Sequence, residues 1–142
     1  MKSSLFSQFR TDNKKEQEGV PITFAPNHDG SVPTFTCSRM AQTNQKYVKA
    51  LERITRPYKR QIQLQTLPNE KSDKIRMQVF IESILQSWEN VQDENGNSIP
   101  YNAENAMKLF EQLPELFFEL EQQAGNAALF RLEEVEAESK NS

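Results

Sequence analysis

The chain has 142 residues, a formal net charge of −3 and a hydrophobic content of 36%. This length suits one domain that buries a substantial core. No apolar run approaches the roughly 20 residues that a membrane-spanning helix needs, and the N-terminus lacks the apolar centre of a secretion signal. We therefore expect a cytoplasmic protein that makes no membrane contact.

The sequence contains few residues suited to catalysis. Cys37 is the single cysteine and His28 the single histidine, and none of the four glycines stands in a phosphate-binding pattern. No disulfide framework, zinc site or nucleotide-binding loop can be built from this set. We expect an exposed His28 in a turn, a small buried Cys37, no metal or cofactor, and no enzymatic activity.

The N-terminal region divides into a polar arm and a predicted β-hairpin. Residues 1–18 are mostly polar and predict a flexible arm, with Phe6 and Phe9 able to dock on the body. Apolar and polar residues then alternate on both sides of the turn sequence Asn27-His28-Asp29-Gly30. Alternation around such a turn predicts two antiparallel strands within residues 19–37.

A basic helix is predicted from about Thr43 to Arg56. From Arg39 to Arg60, seven basic residues stand against the single acid Glu52. The run fits either a site for nucleic acid or an acidic partner, or a solvated face opposite an acidic neighbour. The net charge of −3 and the pI of about 5.3 disfavour nucleic acid. A short strand or extended link is expected between Gln61 and Leu67.

The next helix is expected to begin at Ser72 or Asp73 and to continue to about Trp88. Its apolar residues are spaced by four, three, four and three positions, which is typical of a helical seam. The members of this seam are Met77, Ile81, Ile84, Trp88 and Val91.

The segment from Trp88 to Ala106 is predicted to be a structural joint between two helices. Gly96 supplies a turn, Pro100 holds the chain extended, and Asn102 caps the helix that follows. An EF-hand calcium loop with Gly96 at its sixth position is excluded, because Val91 and Asn102 occupy positions that need carboxylates. We predict structural roles for Trp88, Gly96, Pro100 and Asn102.

Two further helices are predicted, from Asn102 to Gln112 and from Pro114 onward. Phe118 lies away from the apolar side of the second helix, so it is either a partner contact or covered by the arm or another protomer. Eight glutamates and one arginine occupy residues 111–138, an acidic stretch that can face the basic helix within or between protomers. Together the elements predict an α+β fold, an N-terminal β-hairpin beside a helical body of four or five helices.

The order of these features resembles the tail assembly chaperones of tailed bacteriophages over roughly residues 15–135. The residues that carry the resemblance are Arg39, Asn44, Tyr47, Leu51, Arg56-Pro57-Tyr58-Lys59-Arg60, Trp88-Glu89-Asn90-Val91, Asp93, Gly96, Ile99-Pro100-Tyr101, Glu104-Asn105-Ala106, Leu113-Pro114-Glu115-Leu116-Phe117, Ala124 and Phe130.

The resemblance implies a non-enzymatic protein that binds the tape measure protein, helps to recruit tail tube subunits, acts in the host cytoplasm and is absent from the mature virion. Self-association also fits. A small nucleic-acid-binding protein and a structural virion subunit are the alternatives. We expect an arm at 1–18, one domain at 19–135 and a polar tail at 136–142. The partner-binding candidates are Phe118, Arg39, Asn44, Arg53 and Arg56.

Overall fold

The computed structural model describes residues 4–132, so the predicted polar tail at 136–142 lies outside the described residues. Within this range the chain forms helices α1 (Leu5–Phe9), α2 (Asn13–Glu18), α3 (Gln45–Thr55), α4 (Lys59–Gln63), α5 (Asn69–Ser83), α6 (Ala103–Gln112) and α7 (Pro114–Ala124), and strands β1 (Val20–Thr23), β2 (Thr34–Cys37) and β3 (Leu85–Glu89). Short 3-10 turns occupy Arg56–Tyr58 and Ala127–Phe130. The predicted α+β class is confirmed.

The N-terminal hairpin is present as predicted. Strands β1 and β2 pair antiparallel, with Val20 opposite Cys37 and Ile22 opposite Phe35, and all four of these side chains are buried. Gly19 precedes β1 with a φ of +98°, and a Cβ at this position would lie 2.9 Å from the Cys37 backbone. Only glycine therefore lets the polypeptide enter the hairpin so close to β2.

A third strand replaces the end of the predicted seam helix, and this part of the prediction is wrong. Helix α5 ends at Ser83, and β3 then pairs with β2, so the sheet order is β1-β2-β3. The register places Trp88 opposite Phe35 and Leu85 opposite Cys37, with a bulge between them. The extra residue brings Leu85 and Trp88, three positions apart, onto the same face of the strand, and such spacing imitates a helix in the sequence.

The start of α5 and the region before it also differ from prediction. Helix α5 begins at Asn69, directly after Pro68, so the predicted caps Ser72 and Asp73 lie inside it. The Gln61–Leu67 region contains the end of α4 rather than a strand. Pro57 lies in the first turn of the 3-10 segment, where its missing N–H is tolerated, so the chain continues helically from α3 into α4.

The main core fills the space between the sheet and helices α5, α6 and α7. Phe80, Phe110 and Phe117 are fully buried at its centre, with ring centroids 5.3–6.2 Å apart. A second, smaller cluster joins α3 to the opposite side of α5 and consists of Ala50, Ile54, Ile75 and Val79. Helix α5 is therefore buried on two sides, whereas α3 and α4 lie at the periphery.

The joint after β3 has the structural character that the sequence predicted. The indole Nε1 of Trp88 donates to the Ile99 carbonyl at 2.8 Å, and the Tyr101 hydroxyl donates to the Leu85 carbonyl at 2.7 Å. Gly96 adopts a φ of +82° in the turn. The Asn102 side chain accepts from the Asn105 N–H at 2.7 Å, which is the predicted helix cap.

Candidate partner-binding surfaces

Two of the predicted partner-binding residues, Arg39 and Asn44, lie together in a polar cluster beneath α2. The Arg39 guanidinium contacts Glu16 of α2 at 2.7 Å, and both side chains are largely buried. Asn44 caps α3 by accepting from the Tyr47 N–H, and its amide donates to the Arg39 carbonyl at 2.8 Å. These contacts connect α2, the end of β2 and the start of α3, so they serve the fold.

Glu16 is the central residue of this cluster, and no local sequence pattern indicated its role. Its carboxylate accepts hydrogen bonds from Arg39, from Thr11 at 2.9 Å and from Thr43 at 3.2 Å. Burial alone would raise the pKa of Glu16, but the hydrogen bonds from Arg39, Thr11 and Thr43 outweigh it and lower the pKa. The charged carboxylate is therefore the form that holds the arm segment to the body.

Arg53 and Arg56 lie farther along α3 and remain at the surface. Arg53 pairs with Glu82 of α5, and Arg56 pairs with Glu52 one turn earlier at 3.1 Å. Both arginines are more than half exposed. Exposed pairs of this kind contribute little to folding, so these two side chains are able to contact a partner.

Phe118 is half buried and lies far from the basic helix in the sequence, on α7. Its ring contacts the Phe117 ring, and the Arg76 guanidinium of α5 lies 5.5 Å from its centroid. The same arginine forms an ion pair with Glu121 of α7. Arg76 of α5 thus pairs with the acidic helix α7 and covers part of Phe118 within the same protomer.

Exposed apolar side chains occur at four places in the described residues. Helix α1 presents Leu5, Phe6 and Phe9, and Phe6 is 77% exposed. Ile62 and Leu64 protrude at the end of α4. Leu113 protrudes between α6 and α7, and Leu132 is exposed after the last 3-10 turn. The structure leaves the α1 phenylalanines largely uncovered, although the Arg131 guanidinium lies 4.9 Å from the Phe9 ring centroid.

The single cysteine of the chain is buried and its single histidine is exposed. Cys37 is buried, and burial raises the pKa of its thiol to about 12, while His28 is exposed in the hairpin loop. Among residues 4–132, no group of three or more His, Cys, Asp or Glu side chains is arranged to hold a metal ion. No helix in this range has the length and apolar character needed to cross a membrane.

Comparison with known proteins identifies the family to which the chain belongs. A family model described as YdaY prophage protein matches residues 42–141. The chain belongs to the YdaY prophage protein family. No match was found among the curated proteins or among the solved structures. The sequence-based expectation of a phage-related protein is therefore confirmed at this level.

The YdaY match covers some of the candidate surfaces and not others. It includes α3 to α7, and so contains Arg53, Arg56, the exposed Ile62 and Leu64, and Phe118. The hairpin strands and Arg39 precede the matched residues. The exposed side chains of α1 also precede them, so the match extends over the basic and helical part of the molecule and leaves out the N-terminal apolar surface.

Proposed function

We propose that this YdaY family member is a phage tail assembly chaperone, a non-enzymatic protein that binds the tape measure protein and helps to recruit tail tube subunits. Two observations support the proposal: the order of motifs that resembles such chaperones, and membership in a prophage protein family. The proposed place of action is the host cytoplasm during assembly, and the protein is absent from the finished virion.

The structural feature that carries the proposal is exposed apolar surface beside exposed charged side chains. Phe6 and Phe9 on α1, and Ile62 and Leu64 on α4, are exposed although the chain is 26% charged residues. A protein that keeps an apolar helical chain soluble must offer apolar contacts and surround them with charge. This surface has both components.

The ion pairs of the basic segment weigh against a nucleic-acid-binding function. Arg39 is bound to Glu16, Arg53 to Glu82 and Arg56 to Glu52, so three of its cations have carboxylate partners within the protein. Arg39 is largely buried with Glu16 and unavailable to a phosphate backbone, whereas the exposed Arg53 and Arg56 can still contact a partner. The net charge of −3 also opposes binding to a polyanion. The apolar surface, by contrast, suits a protein partner.

The direct test is co-expression with the tape measure protein encoded by the same prophage. The chaperone function predicts that the tape measure protein becomes soluble and co-purifies with a tagged YdaY protein, and that tail tube protein joins the complex when added. An unrelated soluble protein with the same tag is the control. An insoluble tape measure protein in both cases would contradict the proposal, as would a full complement of the YdaY protein in purified particles.

A further inference from the structure

The outer side of α3 and α4 carries a continuous row of cations. Lys46, Lys49, Arg53, Arg56 and Arg60 succeed each other at intervals of three, four, three and four residues, and all are exposed. This spacing keeps them on one side of the helix, next to the side that Ala50 and Ile54 bury against α5. Lys46, Lys49 and Arg53 lie in α3, Arg56 begins the 3-10 turn and Arg60 lies in α4, so the row follows the whole helical segment.

A groove with one apolar lining residue, Ile62, lies at the C-terminal end of this row. It encloses about 420 Å³ between α3 and α4, and its lining residues are Glu52, Thr55, Arg56, Lys59, Ile62 and Gln63. Ile62 is 44% exposed and Leu64, which follows α4 directly, is 61% exposed. Leu64 lies outside the lining of the groove and two positions beyond Ile62, so a partner would need two apolar residues to remove both side chains from water.

The backbone holds Leu64 in this exposed position. Leu64 donates its N–H to the Arg60 carbonyl at 3.0 Å, and Thr66 donates to the Gln61 carbonyl at 2.9 Å. Between them Gln65 adopts a φ of +57°, the left-handed conformation that ends helices. The exposed leucine therefore belongs to a capped helix end and has a defined direction.

We propose that the row of cations and the groove, together called the α3–α4 basic face, bind an acidic amphipathic helix of a partner protein. The inference rests on the proposed function and specifies the chemistry of the segment that the chaperone recognises. Carboxylates of the partner pair with the cations along α3, and its apolar residues cover Ile62 and Leu64.

Charge complementarity identifies the partner as acidic. Within residues 4–132, only Arg53 and Arg56 of the basic face have a carboxylate within 4.0 Å. The other cations, Lys46, Lys49, Lys59 and Arg60, form no ion pair with the described residues. Ile62 and Leu64 favour a protein helix over nucleic acid, because a phosphate backbone gains nothing from contact with exposed aliphatic side chains.

The test uses a synthetic amphipathic peptide with leucine and glutamate in heptads, labelled with fluorescein, and fluorescence anisotropy with the full chain. We expect Lys59→Glu/Arg60→Glu and Ile62→Ser/Leu64→Ser each to weaken peptide binding by about tenfold or more. Matched controls are Lys14→Glu, a cation outside the face, and Leu113→Ser, which is 51% exposed at another corner. Both controls are expected to keep wild-type affinity and all variants the wild-type melting curve.

Several results would overturn the assignment. These are an affinity equal to wild type in both double variants, equal binding of a lysine-containing peptide of the same pattern, and displacement of the acidic peptide by duplex DNA with a steep salt dependence. Loss of self-association in the double variants, without any peptide binding by the wild type, would assign the face to a second copy of the chain.

The same variants separate this inference from the proposed function. If they retain the tape measure protein on co-expression as well as wild type does, the chaperone function stands and the α3–α4 basic face is not its site. If wild type fails to bind the tape measure protein but binds the acidic peptide through this face, the surface assignment stands and the chaperone function fails.

Discussion

The two sides of α5 belong to regions of different construction. One side contributes Met77, Phe80 and Ile81 to the main core, where the sheet, α6 and α7 surround them. The other side contributes Ile75 and Val79 to the small cluster with α3. Sixteen buried residues form the first cluster and four form the second.

This difference predicts that one set of residues governs folding and another governs partner binding. The main core contains the aromatic residues that hold the molecule together, whereas α3 buries one narrow stripe and α4 buries no residue fully. The cations of both helices stay exposed, as do Ile62 and Leu64. Substitutions in the core should therefore change the free energy of unfolding, and substitutions on the outer side of α3 and α4 should change binding alone. The following predictions test where this boundary lies.

The largest effect is expected at Trp88. Its ring contacts Phe35 and Tyr101 at centroid distances of 5.8 and 5.2 Å, and its indole donates to the Ile99 carbonyl. We expect Trp88→Ala to lower the free energy of unfolding by about 3–5 kcal/mol in urea titrations followed by circular dichroism. Trp88→Phe, which keeps an aromatic ring, should cost clearly less. If Trp88→Ala lowers the free energy of unfolding by less than about 1 kcal/mol, Trp88 does not act as a core residue.

The next prediction tests whether Arg39, a member of the basic run from Arg39 to Arg60, stabilises the fold. Glu16→Gln weakens the charged hydrogen bond between the residue 16 side chain and Arg39, and we expect it to cost about 1.5–3 kcal/mol at pH 7. The matched control is Glu52→Gln, which weakens the exposed pair with Arg56 and should cost at most about 0.5 kcal/mol. Equal losses of unfolding free energy in the two variants would mean that Arg39 and Arg56 contribute equally to the fold.

The pH dependence of the Glu16 effect follows from its lowered pKa. Because the folded state favours the carboxylate, the stabilisation is complete above the ordinary range of a glutamate, about pH 4–5, and is lost as the pH falls through the lowered folded-state pKa. The difference between wild type and Glu16→Gln should therefore shrink in urea titrations below pH 4. A difference that grows with acidity would contradict the assignment.

Phe118 is expected to show an intermediate effect, because it is half buried beneath Arg76. Phe118→Ser should fold and lose about 1–2 kcal/mol of stability, through partial loss of burial and of the cation–π contact. Its neighbour Phe117 is fully buried, so Phe117→Ser should be far more damaging. Co-expression and light scattering then test whether the exposed part of Phe118 contributes to partner binding or self-association, as the sequence analysis proposed.

The smallest effect concerns the end of α4. Gln65 holds a positive φ that costs a residue with a side chain about 1 kcal/mol relative to glycine. We expect Gln65→Gly to raise stability by about 0.5–1 kcal/mol, visible in thermal melting, and to leave acidic peptide binding unchanged. A loss of stability would mean that the Gln65 side chain has a role that its backbone conformation does not explain.

Local sequence signals were sufficient where one residue type satisfies one backbone requirement. The cap at Asn102, the turn at Gly96, the start of α7 at Pro114 and the hairpin around residues 27–30 were all predicted correctly. Each depends on the conformational preference of a residue and its nearest neighbours. Those preferences act within a few positions of the chain, so the sequence states them directly.

The sequence by itself determined the core positions of most apolar residues and the helix starts at Asn102 and Pro114; the tertiary structure decided both ends of α5 and what surrounds each residue. Trp88 is buried as its pattern indicates, but only pairing with β2 makes it part of a strand. Arg39 and Arg56 have the same chemistry in the same basic run. The fold of the N-terminal segment places Glu16 beside the end of β2 and the start of α3, where it binds Arg39. Arg56 pairs with Glu52 and remains exposed. Burial follows hydrophobicity, whereas pairing depends on residues that are distant in the chain.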